Sequence, residues 1–109
     1  MNPNAIYEKL STAGTEWADR LADAELLEGA LKSQLAQLTI EAKGLESCSM
    51  AEAKELALSS SGYRDAQVAA IEARRQANRA RVQYDSAKAW CDASRTHEAT
   101  QRVALSHAT

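Results

Sequence analysis

Four arginines lie within eight residues in the C-terminal half of the chain, at positions Arg74, Arg75, Arg79 and Arg81. The residues between them are glutamine, alanine and asparagine, so no acidic side chain separates the four guanidinium groups. Closely spaced guanidinium groups repel one another unless an anion neutralises them. Phosphates of single-stranded DNA are one candidate anion, and carboxylates of a neighbouring subunit are another, namely Glu16, Asp19, Asp23 or Glu25. We therefore interpret the four arginines as candidate DNA contacts.

The other reactive side chains do not form a pattern typical of a catalytic or metal site. His97 and His107 are ten residues apart, a spacing that does not bring two metal ligands together on a helix. Cys48 and Cys91 have no CxxC partner. The sequence has no glycine-rich phosphate loop and no GxSxG motif. We expect no catalytic residues, no metal, no cofactor and no enzymatic activity.

The composition favours helices. The 109 residues include one proline, four glycines and no phenylalanine, whereas alanine is the most frequent residue. Alanine, leucine, glutamate, glutamine, arginine and lysine are strong helix formers, and the β-branched residues that favour strands are few. We predict an all-α fold in which residues 1–109 form a single domain.

Two stretches carry small or apolar residues at alternating steps of three and four, which is the spacing of a helical seam. The first seam consists of Trp17, Leu21, Ala24, Glu28, Leu31, Leu35, Leu38 and Ala42. The second seam is rich in alanine and consists of Tyr63, Ala66, Ala70, Ala73, Ala77, Ala80, Tyr84, Ala87, Cys91 and Ser94. Small side chains allow a partner helix to approach closely. We predict a long antiparallel helical hairpin, coiled-coil-like, with an alanine-rich seam.

Glu28 is the one charged residue in the first seam. A carboxylate at such a position can fix the register of two helices or meet an arginine across their interface. It can also be a buried functional group. We favour the structural role.

Three breaks are predicted within the helical pattern. A short N-terminal helix or arm covers residues 4–14, because Gly14 weakens a helix and Thr15 can cap a new one. The first long helix then covers residues 15–44. After a loop, Ser49 and Glu52 have the spacing of a capping box, which predicts a short helix over residues 49–59. The second long helix covers residues 62–107.

Each long helix also has an apolar stripe on its opposite face. In the second helix this stripe predicts an oligomer interface formed by Val68, Ile71, Val82, Ala89 and Trp90. In the first helix it consists of Ala18, Ala22, Leu26, Gly29, Ser33, Ala36 and Ile40. A lone hairpin buries one face per helix, so two apolar faces per helix predict further partners. We expect a homo-oligomer.

The two halves of the chain have opposite charge. Residues 1–62 hold five basic and ten acidic side chains, and residues 63–109 hold eight basic and five acidic ones, so the halves can pair with each other within one chain or between chains.

Hydropathy indicates an intracellular protein. No stretch is apolar enough to predict a membrane span or a signal peptide. We expect a cytoplasmic protein without a membrane partner, with Cys48 and Cys91 as free thiols.

The layout resembles a known family. Residues Thr15 to Arg102 comprise a first helix, a short connection and a longer helix carrying the run Ile71-Glu72-Ala73-Arg74-Arg75-Gln76-Ala77-Asn78-Arg79-Ala80-Arg81. This arrangement is similar to small helical proteins of tailed-phage recombination regions, and most of all to the UvsY-type recombination mediators. The resemblance implies a self-assembling protein in the host cytoplasm that binds single-stranded DNA and helps to load a recombinase. A recombinase or a single-strand-binding protein would then be its protein partner.

Two other functions are compatible with the same residues. The acidic stretch from Glu16 to Glu28 would suit a phage-encoded inhibitor that binds a basic host defence or repair protein. The paired seams would also suit a structural helical adaptor. A gene neighbourhood containing a recombinase or strand-annealing gene would favour the mediator.

Overall fold

Helices form almost all of the chain that is described by the computed structural model, which covers residues 3–45 and 48–108. The elements are α1 (Pro3–Leu45), α2 (Met50–Leu58) and α3 (Ser61–Ala108). Within these residues there is no β-strand. The predicted all-α helical hairpin with a short helix in its connection is confirmed.

The chain divides into two compact units. The central unit is Asp19–Ala77, and the terminal unit combines Met1–Ala18 with Asn78–Thr109. Both long helices therefore contribute a segment to each unit.

Contacts within each unit show that α1 and α3 are antiparallel. In the central unit, Glu28 contacts Arg74, whereas Gln34, further along α1, donates a hydrogen bond to the carbonyl oxygen of Gly62 at 3.4 Å. In the terminal unit, Tyr7 contacts Arg95 and Trp17 contacts Tyr84. In both units a later residue of α1 meets an earlier residue of α3.

The two predicted seams form the inner face of the helices. In the central unit, Ala24 and Ala77 have exposed fractions of 0% and 1%, and Ala70 is buried as well. In the terminal unit, Ala80 and Cys91 are buried. Every other predicted seam residue is half-buried. The alternating steps of three and four thus identified the packed side of both helices.

Side chains of serine define the ends of α2. The Ser49 hydroxyl accepts a hydrogen bond from the backbone N–H of Glu52 at 3.2 Å, which is the N-cap half of the predicted capping box. At the C-terminal end of α2, the Ser59 hydroxyl donates to the carbonyl oxygen of Glu55 at 3.0 Å. The Ser60 hydroxyl then accepts from the backbone N–H of Tyr63 at 3.2 Å and caps α3. Ala53 and Ala57 form the buried side of α2.

The predicted break near residue 14 is wrong, because α1 is continuous from Pro3 to Leu45. A short arm over residues 4–14 therefore does not exist as a separate helix. Gly14 lies next to Tyr84, and a Cβ atom at this position would be 3.4 Å from Cε2 of that ring. This distance is at the short end of ordinary van der Waals contact, and the glycine lies inside the helix without ending it.

Two further observations concern the cysteines and the hydropathy of the helices. Cys48 and Cys91 are both free, and Cys91 is buried. Among the described residues, no helix combines the length and the apolar character needed to cross a membrane.

Candidate functional site

Arg74, the first residue of the predicted DNA-binding cluster, pairs with an acidic residue of the central unit. Its Nε donates to Oε2 of Glu28 at 2.9 Å, and its Nη2 donates to Oε1 of the same carboxylate at 2.6 Å. Both side chains are partly exposed, with 38% of Arg74 and 40% of Glu28 accessible to solvent. Two parallel hydrogen bonds fix the guanidinium plane against the carboxylate plane. Glu28 therefore meets an arginine across the hairpin, as its position in the first seam predicted.

The pair shifts the pKa of both groups. The hydrogen bond from Arg74 lowers the pKa of Glu28 below its ordinary value of 4.5, because the bond favours the ionised carboxylate. The hydrogen bond to Glu28 raises the pKa of Arg74, and the nearby charge of Glu25 acts in the same direction. Both side chains are charged at neutral pH.

Two further arginines of the cluster also have acidic neighbours on their own helix. Arg75 contacts Glu72 at 3.2 Å in the central unit, and Arg81 contacts Asp85 at 3.8 Å in the terminal unit. Both pairs are solvent-exposed, and exposed pairs of this kind contribute little and exchange partners easily. The premise that the guanidinium groups lack a counter-charge is therefore wrong for Arg74, Arg75 and Arg81. Glu72 and Asp85 lie outside the run of arginines, one helical turn from the residues that they contact.

Arg79 is different. It is exposed on the segment of α3 that belongs to the terminal unit, and no ion pair with an acidic side chain is present for it among the residues that the structure describes. It is the arginine of the cluster with the most freedom to meet an external anion.

The predicted oligomer interface on α3 is exposed. Val68 and Ile71 lie in the central unit, and Val68 has an exposed fraction of 60%. Val82, Ala89 and Trp90 lie in the terminal unit, where Val82 has an exposed fraction of 63%. None of these side chains belongs to the buried seam.

The opposite stripe of α1 is exposed too. Within the central unit it contains Leu26, which has an exposed fraction of 72%, and Ile40, which is also largely exposed. Between them lie Gly29 and Ser33, and a Cβ atom added to Gly29 would meet nothing within 4 Å. We call the residues Ala22, Leu26, Gly29, Ser33, Ala36 and Ile40 the outer stripe of α1.

An apolar groove of about 500 Å³ lies beside this stripe, between α1 and α2 in the central unit. Lysines contribute to its lining from both helices, Lys32 from α1 and Lys54 from α2. The other lining residues are Leu35, Ala36, Thr39, Ile40, Met50 and Ala51. We call this cavity the α1–α2 groove.

The terminal unit has a different surface, in which cations lie against aromatic rings. Lys9 Nζ lies 5.6 Å from the centre of the Trp90 ring. Arg95 lies 5.4 Å from the centre of the Tyr7 ring and donates a hydrogen bond to its hydroxyl at 2.6 Å. That hydrogen bond raises the pKa of Arg95. Such cation–π contacts hold long side chains along the surface.

Helical spacing along α3 places Asp85 one turn from Arg81, and that pair is present, but the sequence did not identify the partner of Arg74. The position of Glu28 predicts an arginine partner, yet the identity of that arginine depends on the register of two helices, and the two residues are 46 positions apart along the chain. The sequence feature that could have indicated the Arg74–Glu28 pair is the position of Arg74 at the edge of the alanine-rich seam. The α1–α2 groove was not expected, because it depends on where α2 lies against α1.

The described residues contain no group of three or more histidine, cysteine, aspartate or glutamate side chains that converge on a metal position. A comparison of the chain with protein-family models, with curated proteins and with solved structures finds no match.

Proposed function

We propose that this protein is a self-associating helical scaffold, in which copies of the chain join through the exposed apolar residues of their long helices. The observation that carries the proposal is the exposure of Leu26 and Ile40 on α1 and of Val68 and Val82 on α3. These residues recur at helical spacing on faces opposite the seam, and stripes of this kind mark sites of protein contact.

Sedimentation equilibrium over the micromolar range tests this proposal. The wild-type chain is expected to form a species larger than a monomer. Replacing Val68 and Ile71 together by serine should weaken the assembly while the helical circular dichroism of the chain is unchanged, because both side chains are exposed. A wild-type chain that stays monomeric throughout this range would contradict the proposal.

A second candidate function is supported by the basic residues of α3. We propose that the assembled protein binds single-stranded DNA and assists the loading of a recombinase, as the resemblance to UvsY-type mediators implies. Exposed Arg79 and the weakly paired Arg75 support this function, because both can turn to a phosphate without leaving a buried carboxylate unpaired. Arg74 supports it less, since a bidentate bond holds it to Glu28.

Binding of single-stranded DNA at two salt concentrations tests the second candidate. Arg79→Glu should weaken binding, and removal of each arginine–phosphate interaction should reduce the slope of log affinity against log salt by about 0.7. Arg64→Glu provides a matched control, because Arg64 is an exposed arginine of α3 outside the cluster. Equal reductions in affinity for the two variants would indicate a general charge effect and no site at Arg79.

Absence of DNA binding at about 50 mM salt, where electrostatic interactions are strong, would reject the mediator function. Self-association would then be compatible with a structural adaptor, or with an inhibitor that uses the acidic Glu16–Glu28 stretch. A pull-down with a basic host protein would be the next measurement.

A further inference from the structure

Another cavity lies between α1 and α3 in the terminal unit, with a volume of about 740 Å³. At one end the ammonium of Lys9, on α1, lies over the ring of Trp90, on α3. Further along the cavity, α3 contributes Gln83 and Ser86, and α1 contributes Glu16. We call this cavity the Trp90 groove. Its lining combines an exposed aromatic ring with a cation and with side chains that form hydrogen bonds.

Helical spacing places an arginine on the same side of α3 as this lining. Steps of four, three and four residues separate the members of one stripe, which are Arg79, Gln83, Ser86 and Trp90. At 1.5 Å per residue the stripe is about 16 Å long. No ion pair with an acidic side chain is present for Arg79 within the described part of the chain. The stripe therefore has an aromatic ring at one end and an exposed cation at the other.

These groups match the chemistry of single-stranded DNA. Trp90 has an exposed fraction of 40%, and an exposed ring offers a face on which any base can stack. The amide of Gln83 and the hydroxyl of Ser86 can donate and accept hydrogen bonds at the edge of a base. Lys9 and Arg79 supply positive charge for the phosphates.

Glu16 favours one orientation of the strand. A carboxylate in the groove repels a phosphate, so the uncharged base enters the groove and the phosphates stay at its rim. Lys9 can move to the rim, because a single cation–π contact on a flexible side chain holds it against the ring. The stacked base then takes the place of the ammonium group.

We infer that the Trp90 groove receives a base of single-stranded DNA, which stacks on the Trp90 ring while Lys9 and Arg79 contact neighbouring phosphates. The inference rests on the proposed binding of single-stranded DNA and specifies where a base lies on the chain. It assigns to DNA a side chain that the sequence placed in an oligomer interface. Self-association through Leu26 and Val68 is compatible with it, because both residues are exposed in the central unit.

The fluorescence of Trp90 tests the stacking directly. The chain has two tryptophans, and Trp17→Phe leaves Trp90 as the only one while an aromatic ring still packs against Tyr84. A short oligothymidylate should quench the emission of this variant. A strand of the same length that lacks the bases should leave the emission unchanged, because it has the phosphates but no stacking surface. Equal quenching by the two strands, or binding without quenching, would overturn the inference.

Affinity measurements test the same contact with Trp17 in place. Trp90→Ala should raise the dissociation constant for oligothymidylate by roughly ten-fold, whereas Trp90→Phe should keep most of the affinity because a ring remains. Tyr7→Ala is the control, since Tyr7 is an exposed ring of the same unit that lies against Arg95 and outside the groove. Helical circular dichroism reports whether each variant keeps its fold. Equal losses of affinity for Trp90→Ala and Tyr7→Ala would contradict the site.

Lys9 gives a matched test of the phosphate contacts. Lys9→Gln should reduce the slope of log affinity against log salt by about 0.7. Lys88→Gln is the control, because Lys88 is an exposed lysine of the terminal unit that does not line the groove. Equal reductions in slope for the two variants would indicate a general charge effect and would count against the groove.

The outcomes separate this inference from the proposed function. A wild-type chain that binds no oligothymidylate at about 50 mM salt would reject DNA binding and the inference together. Binding that is weakened by Arg79→Glu but unchanged by Trp90→Ala would reject the inference alone. If the emission of the Trp17→Phe variant changes with protein concentration when no DNA is present, a second copy of the chain covers Trp90, and the inference is overturned in favour of the oligomer interface.

Discussion

The central and terminal units use the same seam pattern but fill it with different side chains. In the central unit, alanines such as Ala24 and Ala77 are fully buried, and the charged pair Glu28–Arg74 lies at the edge. In the terminal unit, the rings of Trp17 and Tyr84 lie 5.2 Å apart at an angle of 36°. Small side chains give close backbone packing, whereas rings give contact area. Removal of a large side chain should therefore destabilise the terminal unit, whereas enlargement of a small side chain should destabilise the central unit.

The largest effect is expected from removing a ring in the terminal unit. Trp17→Ala should destabilise the chain by about 2–4 kcal/mol, because it removes a large half-buried side chain and its packing against Tyr84. Urea unfolding followed by circular dichroism measures the change. The control is Trp90→Ala, whose ring is more exposed and lies against the flexible side chain of Lys9. Equal destabilisation would mean that the Trp17–Tyr84 interaction contributes nothing specific.

Enlarging a side chain should have the greater effect in the central unit. Ala77→Leu should destabilise by about 1–3 kcal/mol through overpacking, because Ala77 has an exposed fraction of only 1%. Ala69→Leu on the same helix provides the control, since Ala69 is exposed and has room for the added atoms. The two variants are compared by their urea midpoints. A neutral Ala77→Leu would show that the helices can separate there at no cost in stability.

The Glu28–Arg74 pair predicts a dependence on pH in the central unit. The pKa of Glu28 is lowered in the folded chain, so the pair contributes stability above its ordinary value of 4.5 and that contribution disappears as pH falls through the lowered pKa. Glu28→Gln should therefore reduce the decrease in stability between pH 6 and about pH 3, the range that spans the ordinary carboxyl pKa. Unfolding at both pH values in the wild type and the variant measures this.

Glu41→Gln is the control for the pH experiment. Glu41 is an exposed carboxylate of the same helix, and the part of the chain that is described contains no ion pair to it. Its variant should keep the pH dependence of the wild type. If both variants show the same dependence of stability on pH, the pair with Arg74 does not contribute to that dependence.

The sequence predicted which faces pack, because helical spacing alone determines them. Ala70, Ala77 and Ala80 belong to the predicted inner face and are buried. The continuity of α1 could not be predicted, since a glycine costs a helix only about 0.5–1 kcal/mol and whether the helix continues through it depends on packing against residues that are distant in sequence. The pairing of Arg74 had the same difficulty, because periodicity gives the face of a helix but not its axial position against another. Local signals such as the Ser49 cap were sufficient where both partners are close in sequence.

The smallest expected change in stability comes from replacing a helical glycine by alanine, and each unit offers one such glycine. Replacing a helical glycine by alanine removes backbone freedom from the unfolded chain and is worth about 0.5–1 kcal/mol where the new methyl group fits. Gly29 in the central unit has no atom within 4 Å of an added Cβ, so Gly29→Ala should give this full gain. At Gly14 in the terminal unit the Cβ would lie 3.4 Å from Cε2 of Tyr84, so Gly14→Ala should gain less.

The glycine comparison has to be made at low protein concentration, because Gly29 lies on the exposed outer stripe of α1, through which copies of the chain are proposed to join. At low protein concentration, Gly29→Ala should raise the urea midpoint more than Gly14→Ala does. At high concentration its gain should shrink, since a methyl group between two closely approaching helices separates them. Gly14→Ala should show no such dependence on concentration. A Gly29→Ala gain that is the same at both concentrations would place the self-association surface elsewhere, while an equal gain at Gly14 would mean that the Tyr84 ring moves without cost.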